Sequence, residues 1–422
     1  MHMIKYTIYL VHLGGKMSGF IVCGGKKLCG EIEVSGSKNA ALPIIFASIS
    51  TFGVTVINNM PNISDTKVAL AILEELGANI NRVGKRCIID TSSLVYRIPS
   101  SDLTSRIRAS TYLYGAMLAR FSKCSLSEHG GCAFDTRPID MHIYMAEALG
   151  AEINGNLLVM GNSRGADIIF KKISVGATVN ALILSASIKD VTRIFGYAKE
   201  PHIMTLIEYL KKCGAKISLH KEYIEICGSA LHGAEIEIPP DMIEAGSFAI
   251  LSLITDSNLY IKGYPKEDLE SFSDVLIRSG VRIDFTASGA IPSGKAERRI
   301  DVVAEPYPAF PTDLQPIIAP LILTSNGGSI RDFVWERRFG YLKELSKFGA
   351  RYDIIGSTAE LYPSNIFSGK AQAPDLRGGM AALMLALCAK GESIIDSAEV
   401  IMRGYENIVN KLRDIGAEIN NI

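Results

Sequence analysis

The chain has 422 residues, of which 48% are apolar and 21% charged, so it holds enough apolar material for two or three ordinary domains. Lys and Arg number 44 and Asp and Glu number 44, which excludes a global attraction to nucleic acid or anionic membranes and makes any anion site local. No apolar run reaches the ~18 residues of a membrane span. The eight cysteines have neither zinc-finger nor CxxC spacing. Dispersed thiols in a long chain are typical of a reducing cytosol, so we expect a cytoplasmic protein.

The first sixteen residues do not fit the pattern of the rest of the chain. The segment 4–13 is too short, and too weakly charged at its start, for a signal peptide. The codons of Gly14-Gly15-Lys16 can spell a purine-rich ribosome-binding sequence immediately before Met17. We therefore expect residues 1–16 to be an extension outside the fold and translation to start at Met17.

A short pattern recurs six times: an amphipathic helix, a glycine, a small residue, a polar residue and an apolar residue. The glycine ends a helix in the left-handed conformation that glycine adopts at low cost, and the alternating residues after it predict a strand. Recurrence at a near-constant period predicts six copies of one supersecondary unit. The glycines are 64 to 73 residues apart, at Gly77, Gly150, Gly214, Gly280, Gly349 and Gly416.

A second helix, rich in apolar and small residues, begins about 40 residues before each glycine. Helices that are apolar on all sides are buried, so each repeat is predicted to hold one buried helix, one surface helix and strands. Three repeats can close around three buried helices, and the chain has two such sets, with the boundary near Pro239-Pro240. The predicted buried helices are 40–48, 109–119, 177–186, 245–254, 314–323 and 379–389.

Polar and charged residues mark the starts of these buried helices. The N-terminus of a helix binds anions, so six starts that meet between two domains predict a multivalent anion site. Ser174 and Thr312 are interpreted first as ordinary helix caps. A cation is disfavoured at the positive end of a helix. Lys38, Arg108 and Arg377 therefore predict an external anion that compensates them.

Nine motifs run in order along the chain and carry a family resemblance. Each is weak alone, but together they resemble the UDP-N-acetylglucosamine 1-carboxyvinyltransferase family. The motifs are Gly36-Ser37-Lys38-Asn39-Ala40-Ala41-Leu42-Pro43, Arg108-Ala109-Ser110, Gly130-Gly131-Cys132-Ala133, Arg137-Pro138-Ile139-Asp140-Met141-His142, Ser174-Val175-Gly176-Ala177-Thr178, Glu200-Pro201, Phe310-Pro311-Thr312-Asp313, Asp375-Leu376-Arg377 and Arg403-Gly404-Tyr405-Glu406.

The resemblance implies an α/β fold of two inside-out α/β barrel domains, each made of three repeated units around buried helices. Residues 17–37 with 241–422 would form the catalytic domain, and 38–240 a second domain that carries the Cys132 loop. The implied reaction transfers enolpyruvyl from phosphoenolpyruvate to the 3-hydroxyl of UDP-N-acetylglucosamine and releases phosphate. This is the first committed step of peptidoglycan synthesis, which serves cell-wall biogenesis, cell shape and cell division. The family uses no metal or organic cofactor, and we expect no nucleic-acid or membrane partner.

The resemblance also implies roles for individual residues. Lys38 and Asn39 resemble the phosphoenolpyruvate site, and Arg403 a second cation for the same ligand. Asp313 resembles the residue that contacts the sugar hydroxyl and takes its proton, and Cys132 the loop cysteine that donates a proton and reacts with fosfomycin. The implied nucleotide-sugar residues are Arg108, Arg137, Pro138, Ile139, Asp140, Met141, Lys172, Ser174 and Val175, joined by Val334, Arg338, Asp375 and Arg377.

The reaction explains why these residue types are needed. Two polyanions must be held together, which requires fixed cations, and adding an alcohol across an enol requires a base and an acid. An alternative for Cys132 is a buried structural thiol, but its polar, glycine-flanked loop with Arg137 favours exposure and a lowered pKa. An alternative for Asp313 is a helix cap.

The sequence departs from the family pattern at Asp135, Met242, Arg337, Val400 and Met402, where the family usually has Gly, Arg, Asn, His and Asp respectively. Two alternatives therefore stay open. One is a transferase of the same fold with another acceptor, as in the enolpyruvyl transferase of the shikimate pathway. The other is a paralogue that binds the nucleotide sugar without catalysis. The Cys132 loop and the run 137–140 favour a nucleotide sugar, and the retained catalytic residues favour an enzyme.

Overall fold

The computed structural model describes residues 19–125 and 138–422. The predicted extension 1–16 and the loop from Cys132 to Arg137 lie outside the described residues. The helices are α1 Lys38–Ala47, α2 Ser64–Glu75, α3 Ser101–Thr104, α4 Leu113–Phe121, α5 Asp140–Ala148, α6 Val175–Ser185, α7 Pro201–Lys212, α8 Met242–Ile254, α9 Glu270–Ser279, α10 Gln315–Thr324, α11 Leu342–Leu345, α12 Leu376–Cys388 and α13 Ile408–Asp414. Short 3-10 helices cover Ser48–Ser50, Arg108–Tyr112, Thr312–Leu314, Ser346–Phe348 and Ala398–Arg403.

The strands of the described residues form six small sheets. They are β1 Gly19–Gly24, β2 Glu31–Glu33, β3 Val54–Asn58, β4 Asn79–Val83, β5 Arg86–Asp90, β6 Lys123–Ser125, β7 Ala151–Asn154, β8 Leu157–Met160, β9 Asp167–Ile169, β10 Val191–Phe195, β11 Lys216–Leu219, β12 Tyr223–Cys227, β13 Glu235–Glu237, β14 Tyr260–Lys262, β15 Arg282–Phe285, β16 Gly289–Ser293, β17 Ile300–Ala304, β18 Gly328–Asp332, β19 Arg351–Ile355, β20 Thr358–Tyr362, β21 Lys370–Gln372, β22 Gly391–Asp396 and β23 Glu418–Asn421.

The six repeats predicted from the glycine pattern are confirmed. All six glycines have a positive φ, between 91° and 111°, in the left-handed region where a side chain would be strained. Each glycine is followed within two residues by a strand, and these strands, β4, β7, β11, β15, β19 and β23, belong to six different sheets. One sheet per repeat accounts for the recurring pattern.

The six buried helices are confirmed, with one correction. Helices α1, α4 and α6 pack together, and α8, α10 and α12 form a second such group. The second helix was predicted as one continuous segment, 109–119, but it begins as a 3-10 turn and becomes α-helical at Leu113. The buried Asn180 explains the break, because its side chain bonds both Thr111 O (2.9 Å) and Gly115 N (2.7 Å), which an uninterrupted α-helix would pair with each other.

In the part of the chain that the structure describes, the buried hydrophobic residues form two separate cores. One core draws on residues 20–34 and 243–419, and the other on residues 40–238. We name the parts of the chain around them the terminal body (19–37 and 241–422) and the inserted body (38–125 and 138–240). We propose that these bodies are the two domains, 17–37 with 241–422 and 38–240.

Two chain crossings join the bodies side by side. Gly36 pairs with Pro240 in an antiparallel bridge, Ser37 N donates to Pro239 O (2.8 Å) and Asp241 N donates to Ser35 O (2.8 Å). In the terminal body, β1 lies between β22 and β23 and is antiparallel to both. The amino-terminal strand is therefore an interior strand of a sheet made otherwise from the carboxy-terminal part of the chain.

Candidate functional site

A carboxylate held by two arginines stands at the start of α10. Asp313 lies in the 3-10 turn that leads into this helix, and its Oδ1 accepts from Arg338 Nη1 at 2.9 Å. Its Oδ2 accepts from Arg377 Nη2 at 3.2 Å. The Asp313 side chain is 31% exposed, whereas Arg338 and Arg377 are 5% and 2% exposed. Two buried cations therefore present one carboxylate to the solvent-accessible side.

The arginines keep Asp313 ionised. Burial alone would raise the pKa of Asp313, but the charges of Arg377 and Arg338 and the hydrogen bond from Arg338 hold it well below its usual range. The charge of Lys38 acts in the same direction. In return, Asp313 holds the pKa of Arg377 above its usual value despite the burial of that guanidinium. The pair is fully charged at neutral pH.

A second buried carboxylate fixes the neighbourhood of Asp313. Asp332 ends β18 and accepts from Thr312 Oγ1 (2.7 Å) and from the backbone N–H groups of Val334 and Trp335 (2.8 Å each). Arg338 Nη1 also donates to Thr312 O at 3.1 Å. The predicted helix cap at Thr312 is wrong, because this hydroxyl donates to Asp332 instead of accepting from the helix. Asp332 thereby joins the turn that carries Asp313 to the turn that carries Val334.

A second ion cluster crosses between the two bodies. Asp65, in the first turn of α2, accepts from Lys38 Nζ at 3.3 Å. Its Oδ1 accepts from Arg403 Nε at 2.9 Å. Lys38 is the first residue of α1 in the inserted body, and Arg403 ends a 3-10 helix of the terminal body. The structure thus brings together the two cations that were predicted to hold one ligand.

The cations at the helix starts find carboxylates of the protein itself. Lys38 pairs with Asp65, and Arg377 pairs with Asp313. An internal partner therefore supplies compensation at these two positions, and binding of an external anion there stays a prediction. Ser174 caps α6 as predicted, because its Oγ accepts from Ala177 N at 3.3 Å.

Asp375 is a buried helix cap. Its Oδ1 accepts from Arg377 N at 2.9 Å and from Gly378 N at 3.0 Å, which fixes the first turn of α12. The carboxylate therefore positions the backbone of Arg377, while the guanidinium reaches Asp313. Burial of Asp375 places it among the supports of the site.

The crossings between the bodies are tied to the same site. Asp241 caps α8 through its Oδ1, and its Oδ2 accepts from Lys38 N at 3.1 Å. The buried Glu244 accepts from Lys411 Nζ at 2.6 Å and from Ser35 N at 2.7 Å. Burial raises the pKa of Glu244, and Lys411 opposes that effect. The start of α1 is therefore held directly by the terminal body.

Three inserted-body helices begin at or just after predicted nucleotide-sugar residues that the structure describes, namely Arg108, 138–141, Lys172, Ser174 and Val175. Asn180 of α6 accepts from Gly115 N, which fixes the orientation of its amide, and its Nδ2 then contacts His142 Nδ1 at 2.7 Å as the donor. His142 of α5 also stands against Gly176, where an added Cβ would lie 3.0 Å from the ring. Asn180 and His142 therefore hold the starts of α4, α5 and α6 together.

The predicted residues on these helix starts differ in exposure. Pro138, Asp140 and Lys172 are exposed, whereas Ile139, Met141, Ser174 and Val175 are partly buried. Burial lowers the pKa of Arg108. Asn39, beside Lys38, is partly buried. Cys132 and Arg137 lie outside the described residues, so their positions stay predictions.

Two residues of the inserted body stand near Asp313. Burial lowers the pKa of His202 to about 4, while the charge of Asp313 acts against that effect. Burial also raises the pKa of Glu200, and Asp313 adds to that rise. His202 is therefore neutral at physiological pH, and Asp313 is influenced electrostatically by groups from both bodies.

The departures from the family pattern fall into two kinds. Met242, Val400 and Met402 are partly buried and pack against the core of the terminal body. Arg337 is exposed beside the buried Arg338. Asp135 lies outside the described residues. Apolar packing therefore occupies three positions where the family usually has a polar side chain.

Sequence reasoning missed Asp65, Asp332, Asn180 and His202, although all four contact or influence predicted residues. Asp65 has one local signal, its place in the first turn of a helix, but this is also typical of ordinary acidic residues at helix starts. Its partner Arg403 is 338 residues away in the chain. Nothing local links the two.

The described residues contain neither a membrane-spanning helix nor a cluster of metal-binding side chains. In 19–125 and 138–422, no helix is both long and apolar enough to cross a membrane. In the same ranges, no group of three or more His, Cys, Asp or Glu side chains could hold a metal ion.

Known proteins resemble this chain over nearly its whole length. The family model for EPSP synthase (3-phosphoshikimate 1-carboxyvinyltransferase) matches residues 22–412. A UDP-N-acetylglucosamine 1-carboxyvinyltransferase from Wolbachia pipientis subsp. Culex pipiens is 36% identical over 93% of this chain and 97% of its own length. A protein of the same name from Campylobacter jejuni is 34% identical, covering 94% of this chain and 98% of its own.

Solved structures share the fold. The enolpyruvyl transferase NikO from Streptomyces tendae has a TM-score of 0.87 at 24% identity, over 96% of this chain and 99% of its own. EPSP synthase from Acinetobacter baumannii has a TM-score of 0.70 at 15% identity, over 96% of this chain and 100% of its own. These two likenesses bear on the architecture, and the predicted two-domain α/β fold is confirmed.

Proposed function

The chain belongs to the carboxyvinyl (enolpyruvyl) transferase family, and from that premise we propose that it transfers enolpyruvyl from phosphoenolpyruvate to the 3-hydroxyl of UDP-N-acetylglucosamine. The observation that carries the proposal is the arrangement at the junction of the two bodies. A partly exposed carboxylate, Asp313, is fixed by two buried arginines, and the cations Lys38 and Arg403 meet at Asp65. A proton acceptor and two phosphate-binding cations are the groups this reaction needs.

The reaction balances as an addition followed by an elimination. The sugar oxygen bonds to C2 of phosphoenolpyruvate while its proton passes to Asp313, and a proton is added at C3. Loss of a proton from C3 then restores the methylene group as the bond from C2 to the phosphate oxygen breaks. The products are the enolpyruvyl ether of the sugar nucleotide and inorganic phosphate. We propose Cys132 as the acid that supplies the proton at C3.

The low pKa of Asp313 constrains how the proton moves. The carboxylate is ready to accept a proton at neutral pH, but Arg338 and Arg377 make it a weak base. A sugar hydroxyl is far too weak an acid to lose its proton to such a base beforehand. Proton transfer therefore accompanies formation of the bond between oxygen and C2, as the hydroxyl becomes acidic.

The names of the curated relatives support the choice of acceptor. Relatives at 34–36% identity over nearly full length are named for UDP-N-acetylglucosamine, including one from Halothermothrix orenii that the chain covers at 100% of its length. We propose that Arg108, Arg137, the run 138–141, Lys172, Ser174 and Val175 bind the nucleotide part. Asn39, Val334, Arg338, Asp375 and Arg377 complete the proposed substrate site. In the cell this activity would be cytoplasmic and would begin peptidoglycan synthesis.

A phosphate-release assay tests the proposal and its alternatives. The enzyme is incubated with phosphoenolpyruvate and either UDP-N-acetylglucosamine or shikimate 3-phosphate, the acceptor suggested by the name of the family model. Release only with the sugar nucleotide supports the proposal. Release only with shikimate 3-phosphate replaces it with the second acceptor, and binding of the sugar nucleotide without release supports a non-catalytic role. The Asp313→Asn variant controls for phosphoenolpyruvate hydrolysis by contaminants.

A further inference from the structure

Asp65 occupies the position between the two cations that the reaction assigns to a ligand. Its side chain is 5% exposed, and its two oxygens accept from Lys38 Nζ, Arg403 Nε and, at 3.4 Å, Arg403 Nη2. Lys38 and Arg403 remain 13% and 21% exposed. The two cations are therefore accessible from the junction between the bodies, whereas the Asp65 carboxylate that pairs with them is buried behind them.

We propose that Asp65 competes with phosphate for Lys38 and Arg403. It pairs with these two cations when no phosphate is bound, and it lowers their affinity for the product phosphate, so that this product dissociates. The inference rests on the proposed function, because that function places a phosphate group at these two cations. Asp65 is a positioning residue, since it acts on the ligand through Lys38 and Arg403.

The charges of this cluster explain why Asp65 weakens the binding of phosphate. Lys38, Arg403 and Asp65 sum to one positive charge, whereas inorganic phosphate carries between one and two negative charges near neutral pH. Bound phosphate must share the two cations with a buried like charge a few ångströms away, and burial limits the screening of that repulsion. Removing the charge of Asp65 leaves two cations for phosphate alone.

The geometry couples this exchange to the contact between the bodies. Asp65 and Asn62 stand at the start of α2. Asp65 contacts Arg403, the last residue of the last 3-10 helix of the terminal body, and Asn62 contacts the segment that follows this helix. Asn62 N donates to Glu406 Oε1 at 2.9 Å, three residues from Arg403. When phosphate replaces Asp65 as the partner of Arg403, one of two adjacent polar contacts between the bodies is therefore lost. Return of Arg403 to Asp65 on phosphate release restores it.

The test is titration calorimetry of the full chain with inorganic phosphate. Asp65→Asn keeps the shape and removes the charge, and we expect it to bind phosphate roughly ten- to hundred-fold more tightly than the wild type. Glu75→Gln is the matched control, because Glu75 ends the same helix and the substitution removes the same charge away from the cations. It should bind phosphate as the wild type does, and Asp65→Glu should restore wild-type affinity.

Kinetics separate this role from a structural one. Slower phosphate release and tighter ground-state binding lower both kcat and the KM for phosphoenolpyruvate in Asp65→Asn. Equal or weaker phosphate affinity in Asp65→Asn, or a raised KM, overturns the proposal. If Asp65→Asn does not fold by circular dichroism, Asp65→Ser takes its place. Lack of turnover by the wild type rejects the proposed function, whereas the phosphate titration decides the role of Asp65 independently of any acceptor.

Discussion

The two ion clusters of the site are built in opposite ways. Around Asp313, one partly exposed carboxylate is held by two buried arginines, Arg338 and Arg377, and all three side chains belong to the terminal body. Around Asp65, the carboxylate is buried and its two cations are more exposed and come from different bodies. The hydrogen bonds of the first cluster lie within one body, whereas the bond from Arg403 in the second cluster exists only while the bodies are in contact.

This contrast indicates that the two ion clusters have different roles. A carboxylate held within one rigid body is preorganised, which suits a group that must be aligned with the reacting hydroxyl. Cations shared across a junction can change partner when a ligand arrives or the bodies separate, which suits binding and release. We therefore expect changes at Asp313 to act on turnover and changes at Arg403 to act on phosphoenolpyruvate affinity.

The largest effect is expected at the preorganised cluster. Asp313→Asn keeps the shape of the side chain but removes the proton acceptor, so kcat should fall by roughly two orders of magnitude or more. The affinity for UDP-N-acetylglucosamine, measured by calorimetry, should survive. Asp301→Asn is the control, since this carboxylate of the same body bonds the exposed Arg299 and Ser329. A decrease in kcat of less than tenfold would contradict the proton-acceptor role.

A smaller effect, on a different constant, is expected at the shared cluster. Arg403→Ala removes charge-assisted hydrogen bonds of roughly 1.5–3 kcal/mol each, so the KM for phosphoenolpyruvate should rise about ten- to hundred-fold. Arg351→Ala, which removes an exposed guanidinium of the same body, should leave KM unchanged. Steady-state kinetics at saturating sugar nucleotide measure both. An unchanged KM in Arg403→Ala would show that this arginine serves only the contact between the bodies.

The third test asks whether the loop that carries Cys132 supplies the acid that complements Asp313. Burial raises the pKa of Cys124 to about 12 and those of Cys87 and Cys213 to about 11, so these thiols are poor nucleophiles at neutral pH. Cys29 is exposed and serves as the internal control. Fosfomycin should label Cys132 roughly tenfold faster than Cys29. Addition of the sugar nucleotide should increase that rate.

Mass-spectrometric mapping after limited alkylation gives the order of labelling. Label on Cys29 or Cys388 before Cys132 would mean that the loop thiol is not activated. Asp135, in the same loop, adds a negative charge that opposes thiolate formation. Asp135→Gly should therefore increase the labelling rate of Cys132.

The smallest effect is expected in the pH dependence of stability. The pKa of Asp313 is lowered on folding, so the stability that this carboxylate contributes is present above its unfolded pKa of about 3.9 and is lost as the pH falls toward the folded value. The difference in unfolding free energy between wild type and Asp313→Asn should thus stay constant from pH 5 to 8. Urea unfolding at four pH values measures it. A difference that grows as the pH falls from 7 to 5 would show that Asp313 takes up a proton in the folded state, and hence that burial outweighs the arginines.

The repeats could be predicted from the sequence because their signals are local. A glycine that must adopt a positive φ, and a helix that is apolar on all sides, each leave a pattern within about fifteen residues. The break at Leu113 could not be predicted, since it depends on Asn180 from a different repeat. The positions of the elements followed from periodicity, and their irregularities from side chains far away in the chain.

The residues of the site also divide into those that a local pattern predicts and those that it does not. Lys38, Asp313 and Arg403 could be named from motifs, and the structure brings Lys38 and Arg403 to one carboxylate. Asp65 could not be named, because an acidic residue at a helix start has an ordinary explanation. For Thr312 the ordinary explanation, a helix cap, was wrong. The partner of a buried charge is set by tertiary packing, which no local pattern encodes.

The place of β1 has a consequence for synthesis on the ribosome. Because β1 lies between β22 and β23, the strand made first acquires its two neighbours only after residues 391–396 and 418–421 have emerged. The inserted body, whose core needs residues no later than 238, can fold while the nascent terminal body is still incomplete. Order of translation and order of folding are therefore inverted for β1, whose backbone groups lack these two neighbours until the chain is nearly finished.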